Sequence, residues 1–258
     1  MQRAITGGLI IAVLCACMGV FVTLRRESFL ADAVAHASLS GVAVAFVLGW
    51  QPTLPAMAVG TLMSVAIVYI KKRTTISSDA LIGIFYSALF ALGVIIINLS
   101  PVYQPELSTY LFGSLLGISR TDLLVSIVVF AVIMILIQRL YQKLVFVTFD
   151  SESAWLHGIK TELLEYLLAI MASVTVIIAI KIVGIILVTA LLLVPASTAR
   201  LMAGSFRAML PLAIAQSIIA MLGGIICAYL LDLPIGATIV LISTIIFMAV
   251  FVLRSLRR

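Results

Sequence analysis

The chain has 258 residues, 64% of them hydrophobic and only 10% charged, and a formal net charge of +6. Soluble domains carry about 25% charged residues, so a water-soluble enzyme or binding module is excluded, and the basic excess marks loop sidedness at a membrane rather than a nucleic-acid surface. Cys15, Cys17 and Cys227 lie inside apolar runs with no CxxC spacing, which excludes a disulfide framework.

Apolar runs of about 20 residues follow one another, each able to cross about 30 Å of hydrocarbon. No turn-separated alternating strands suggest a barrel. The expected fold is therefore all-α: a single polytopic transmembrane helical bundle over 1–258, with about nine spans (eight to ten). The first run is 4–24, closed by Arg25-Arg26-Glu27 and read as a retained helix despite the signal-like Arg3 and the Leu-Cys-Ala-Cys at 14–17. The second is 29–48, closed by Gly49-Trp50-Gln51-Pro52. Trp50 suits an interfacial belt and Pro52 a helix start. The third, 54–70, stops at Lys71-Lys72-Arg73, and the fourth covers 80–99.

Residues 110–118 are apolar but too short to cross, and suit a re-entrant or interfacial segment. The fifth run is 123–140, followed by the longest polar stretch, 141–162. The remaining runs are 163–180, 182–202, 209–231 and 235–253, with Lys181 the only break between the sixth and seventh. Nine spans with the N-terminus outside and the C-terminus cytoplasmic place 13 of the 16 basic residues inside, leaving only Arg3, Arg120 and Lys181 outside. That is a strong positive-inside bias.

The second run holds the most informative stretch, LADAVAHASLSGVAVA at 30–45. Asp32, His36 and Ser40 recur every fourth residue and share a helix face. Beside them runs a ribbon of small residues, Ala33, Ala37, Gly41 and Ala45, a spacing that admits a neighbouring helix at close range. An ionised Asp at a bilayer centre costs roughly 2.5–3.5 kcal/mol on insertion scales, so such residues serve a pathway or are paired. The plainer reading is that Asp32 and His36 hydrogen-bond each other or a neighbouring helix. At 1.5 Å per residue His36 lies on the order of 10 Å from the inner end of the run, which places the stripe in the cytoplasmic half and suits an inner gate or a transient stop more than a main binding site at the midplane.

Two further segments can carry a role. VTFDSESAWLHGIK, 147–160, has capping Ser151 and Ser153, acidic Asp150 and Glu152 favouring a helix start, and Gly158 as a stop. It predicts a helix of about two turns in the largest inner loop, a docking surface or an ordinary capped surface helix. In the seventh run Pro195 removes a backbone hydrogen bond, with Thr189, Ser197 and Thr198 near enough to satisfy freed carbonyls. A kinked helix with small polar residues lines a pathway or is simply bent. His157 has no carboxylate or cysteine at ligand spacing and reads as a surface residue. There is no GxxxxGK[ST] and no HExxH, so the chain cannot itself cradle ATP phosphates and shows no nucleophile–base pair.

DAVAHASLSGVAVAF (32–46) after LRRESFLA resembles the second-helix signature of metal-type ABC permeases, the membrane subunits of bacterial zinc, manganese and iron importers. GIILVTALLLVPASTARLMA (184–203), YLFGSLLGIS (110–119), FDSESAWLHGI (149–159) and LPIGATIVLIST (233–244) resemble further stretches of that family, in the same order. The resemblance implies a permease in the bacterial cytoplasmic membrane and a second permease copy completing the pathway. It implies a cytoplasmic ABC ATPase dimer docked on a coupling helix carrying Phe149, Asp150, Ser151, Glu152, Ala154 and Gly158. It also implies an extracellular or periplasmic metal-binding lipoprotein that delivers the cation. No permanently bound cofactor is expected, only the transported divalent metal.

On that resemblance Asp32 and His36 offer one carboxylate and one imidazole, doubled by a second copy, a set suited to manganese, zinc or ferrous iron rather than copper(I). Binding needs both deprotonated, so transport should weaken in mild acid. Ser40, Thr189, Pro195, Ser197 and Thr198 are the candidate pathway residues. The alternatives are an ion-coupled secondary transporter, which should show an internal repeat that is not evident, and an ABC permease for a metal chelate.

Overall fold

The structure is a computed structural model and describes residues 2–99 and 117–256. Among these residues all regular structure is helical: α1 (Gln2–Leu24), α2 (Leu30–Leu48), α3 (Thr53–Arg73), α4 (Ser78–Leu99), α5 (Arg120–Phe149), α6 (Ser151–Leu156), α7 (Thr161–Val183), α8 (Ile185–Met202), α9 (Phe206–Leu231) and α10 (Ile235–Ser255). All but α6 are long and apolar enough to cross a membrane. The chain is thus a polytopic helical membrane protein, as its hydropathy requires. Most of the expected re-entrant stretch, 110–116, lies outside the described residues.

Two boundaries differ from the sequence expectation. The fifth span was expected to end at 140, but α5 runs on to Phe149. The cause is a buried stripe, Ile133, Ile137, Leu144 and Val147, that keeps helical spacing through a stretch that looks polar by composition. Phe149 therefore closes α5 instead of opening the short helix. The other break was placed at Lys181. The chain instead breaks at Gly184, whose φ of 83° lies in the region that favours glycine, and Lys181 stays inside α7.

The helices fall into two compact units, and α5 and α7 each contribute to both. One unit contains α2, α3, α4, α6, the later part of α5 and most of α7. Its small residues set the helix spacing. A Cβ on Gly41 of α2 would stand 2.5 Å from the Pro55 carbonyl oxygen of α3, and one on Gly93 of α4 would stand 3.0 Å from the Ser40 Cα of α2. The small-residue ribbon is buried, as Ala33, Ala37 and Ala45 also show, so α2 lies backbone to backbone against α3. Ser173 of α7 donates to Ser64 of α3. Gly49, at a φ of 67°, ends α2, with its own N–H and that of Trp50 closing back on Phe46 and Ala45.

One end of this unit carries an ion-pair network. Arg25 reaches Glu27 at 3.5 Å and Glu165 at 3.9 Å, while Lys71 and Lys72 stand 2.9 Å from Glu27 and Glu165 respectively. The α1–α2 turn, the end of α3 and the first turns of α7 thus lie at one end of the bundle, as alternate crossing requires.

The other unit contains α1 up to Thr23, the start of α5, the end of α7, and α8, α9 and α10. Gly19 of α1 packs directly on the Leu192 carbonyl of α8, and Gly224 of α9 on Ile239 of α10. Ser217 of α9 donates to the Ala12 carbonyl of α1 at 2.9 Å. Lys181 meets Asp122 at 2.6 Å, joining the last turn of α7 to the first of α5. The three cysteines are free, Cys15 and Cys17 being buried.

Candidate functional site

The Asp32–His36 pair sits in the first two turns of α2. His36 lies six residues beyond Leu30, about 9 Å along the axis, so the pair occupies the N-terminal half of α2. The helix presents it on a partly open face, with the Asp32 side chain 43% exposed and that of His36 24%. The imidazole Nδ1 lies 2.9 Å from the Asp32 backbone carbonyl and 3.6 Å from its Oδ1. A carbonyl oxygen can only accept, so Nδ1 is the donor, and in the neutral ring the lone pair is then on Nε2. Tyr86 and Phe90 of α4 meet the ring edge-on, with centroids 5.1 and 5.8 Å away. Backbone carbonyl and aromatic rings together hold the imidazole, with no Nε2 partner among the described residues, beside a carboxylate oxygen 3.6 Å from Nδ1.

Among the described residues no cluster of three or more His, Cys, Asp or Glu could hold a metal. The pair supplies one nitrogen and one carboxylate, which is half of a four-ligand shell.

Ser40 continues the stripe in sequence but is buried, its hydroxyl donating to the Ala37 carbonyl at 2.8 Å and its backbone under Gly93. Tyr86 and Phe90, four residues apart, were not singled out in the sequence, although their spacing marks one face of α4.

The pathway candidates on α8 belong to the other unit. Pro195 lies within a helix that continues through it, and it is buried together with Thr198. Thr189 donates to Ile185 and Thr198 to Val194, each one turn back. Neither of these bonds goes to Leu191, the carbonyl that the proline deprives of its donor. Ser197 is half-buried on a cavity wall with Arg200.

The short inner helix forms, but Asp150 caps it in place of the expected Ser151 or Ser153, because its carboxylate accepts from both donors of Ser153. Asp150 is the N-cap, its carboxylate accepting from the Ser153 N–H at 2.9 Å and the Ser153 hydroxyl at 2.6 Å. These bonds hold its carboxyl below the usual carboxylate value of 3.8. A lowered value means the charged cap is fully present above that value and is lost only as pH falls through the lower one. The other end is closed by the Gly158 and Ile159 N–H groups donating to Trp155 and Ala154, with Gly158 at a φ of 76°. His157 lies against the Ser153 carbonyl at 2.7 Å and edge-on to Phe146, a role internal to the helix end. Ser151 and Glu152 are exposed in the first turn. Ala154 is fully buried, while Phe149, Trp155 and Leu156 are 62%, 67% and 75% exposed. The segment therefore stands on Ala154 and presents large apolar side chains outward. Trp155 and Leu156 carry no capping or charge signal in the sequence, and only their exposure marks them.

Membrane-crossing helices, a carboxylate–imidazole pair on a partly open helix face and a small capped helix bearing exposed apolar side chains make up a polytopic membrane protein of the transport-permease class. Residues 1–254 match the ABC 3 transport family, and the chain belongs to it. It is similar to the manganese import system permease protein ScaB of Streptococcus gordonii, 34% identical over 100% of this chain and 92% of that one. The high-affinity zinc uptake system membrane protein ZnuB of Haemophilus influenzae is 32% identical over 95% of this chain and 94% of its own. Among solved structures, PsaBC from Streptococcus pneumoniae in complex with Fab superposes with a TM-score of 0.85 at 33% identity, covering 97% of this chain and 90% of that one. The chain is thus a membrane-spanning ABC transporter permease subunit, which sets aside the ion-coupled carrier.

Proposed function

We propose that the chain is one of two permease copies in an importer for divalent transition metals, manganese, zinc or iron, in the bacterial cytoplasmic membrane. The N-terminus lies outside and the C-terminus in the cytoplasm, following the positive-inside bias. A cytoplasmic ATPase dimer drives the cycle from α6 and its flanking residues, and a metal-binding lipoprotein delivers the cation. Asp32 and His36 of each copy form the ligand set, four groups across a two-fold axis. The observation that carries this reading is the His36 ring fixed by the Asp32 carbonyl with Nε2 free beside an exposed carboxylate. The ScaB and ZnuB names support the cargo class. An Asp turned to lipid would be costly, whereas one turned to a second copy and a cation is not.

The test is uptake of labelled manganese and zinc by cells carrying this chain with its ATPase. Asp32→Asn and His36→Asn, the latter keeping a donor towards the Asp32 carbonyl but no atom at the Nε2 position, should lose at least the roughly 10–100-fold that loss of an outer-shell metal partner costs. His36→Gln, which keeps an atom near Nε2, should lose less. Near-normal uptake in both Asn variants, at normal membrane levels, overturns the site. Uptake that persists without the ATPase overturns the energy source.

A further inference from the structure

The ends of α1, α8 and α10 enclose a cavity of about 730 Å³, walled by Thr23, Ser197, Arg200, Phe247, Phe251 and Arg254. Neither arginine has an acidic partner among the described residues. Basic residues commonly sit at helix C-termini, where the dipole favours them, and that accounts for two arginines on two helix ends. It does not account for their convergence on one concave surface with Ser197. Nor does it account for Thr23, which is only 8% exposed and whose hydroxyl has no hydrogen-bond partner. A second, apolar cleft of about 350 Å³ adjoins the cavity at Leu201 and Arg254 and continues along Met202, Val250 and Leu253. A cationic pocket with hydroxyls thus opens onto an apolar groove at the C-terminal ends of the helices, which is the shape and polarity of an amphiphile.

We propose that this cavity seats the phosphate headgroup of an anionic phospholipid, with an acyl chain in the adjoining cleft. Arginine forks match phosphate oxygens in pairs, and basic pockets between membrane helices favour anionic headgroups. The leaflet is the one at which α1, α8 and α10 end, the inner one in the topology proposed above. The site is independent of the metal ligands, since Asp32 and His36 take no part in it.

The experiment is native mass spectrometry of the full-length permease in neutral detergent, offered phosphatidylglycerol and phosphatidylcholine with identical chains. Wild type should retain phosphatidylglycerol roughly tenfold or more over phosphatidylcholine, given about fivefold for each basic residue at a membrane surface. Arg200→Gln/Arg254→Gln should bring the two lipids within about twofold, and Arg254→Lys should keep most of the preference. If the double variant is not recovered folded, Arg200→Gln and Arg254→Gln singly should each lose several-fold. Four results overturn the proposal. They are no preference in wild type, a preference unchanged in the variants, displacement of the lipid by equimolar glycerol phosphate (a free-anion site), and loss of the lipid when the ATPase or a second copy binds (a protein contact).

Discussion

The close approach of α2 to α3 can be tested by giving Gly41 a side chain. Its Cβ would stand 2.5 Å from the Pro55 carbonyl oxygen, 2.7 Å from the Pro55 carbonyl carbon and 2.8 Å from the Ala56 Cα, where ordinary contact begins near 3.4 Å. The obstacles are backbone atoms, so no rotamer change relieves them. The helices have to part by about 0.9 Å for alanine, and further for valine. Overpacking of this kind costs about 1–3 kcal/mol. At 2–4 °C per kcal/mol for a chain of this size, Gly41→Ala should lower the unfolding midpoint in detergent by roughly 2–12 °C. Gly83 of α4 is the control, because a Cβ there meets nothing within 4 Å. Gly83→Ala should leave the midpoint unchanged or raise it through helix propensity, by up to about 1 kcal/mol. Because α2 also carries Asp32 and His36, Gly41→Val should depress metal uptake while Gly83→Ala does not. A Gly41→Ala protein as stable as Gly83→Ala would show that α2 does not lie against α3 at this point, and would refute the packing on which the site's position depends.

The short helix and the ion-pair network give further expectations. Trp155→Ala and Leu156→Ala remove exposed side chains, so the permease should keep its unfolding midpoint while its affinity for the ATPase falls, by about 30-fold if Trp155 is a hot spot worth about 2 kcal/mol; co-purification measures this. Asp150→Asn should preserve ATPase association and Asp150→Ala weaken it, since Asn also caps. The Asp150 carboxyl lies below 3.8, so acidification from pH 7.5 to 5 should leave the cap intact and ATPase association flat across that window. Glu165→Gln leaves Arg25 and Lys72 without their shared carboxylate and should cost about 1.5–3 kcal/mol, read as a lower midpoint than for Glu162→Gln, whose residue is exposed.

The spans were legible because hydropathy over 20 residues is a bulk property that no single contact overrides. Their ends were not, because a helix end is decided by particular residues. Leu144 and Val147 are buried and carry α5 through residues that look like a loop, and Gly184, not the charged Lys181, breaks the chain because only its φ changes hand. Lys181 is held within the last turn of α7 by its pairing with Asp122. The Asp32–His36 pair and the small-residue ribbon could be read from the four-residue period alone. What the period could not show is that His36 bonds a backbone carbonyl and rests against Tyr86 and Phe90, since those rings lie some fifty residues away. The network at Glu27 and Glu165 and the arginine cavity are invisible for the same reason. Each assembles groups from three separate segments of the chain, and only the folded chain brings them together.

The two stripes of α2 constrain how such a site could work. The small residues at 33, 37, 41 and 45 follow the Asp32 stripe by one residue, about 100° around the axis, and Gly41 is locked on the α3 backbone while Gly93 locks α4 onto Ser40. Turning α2 to withdraw His36 would drive side chains into those contacts, so packing against α3 and α4 opposes rotation of this helix alone. If the ligand shell is shared between two copies, as proposed, each copy holds only two ligands and binds weakly by itself. Separating the copies then lowers affinity without disturbing any packed interface within either, and the ATPase need only change the distance between two preformed halves.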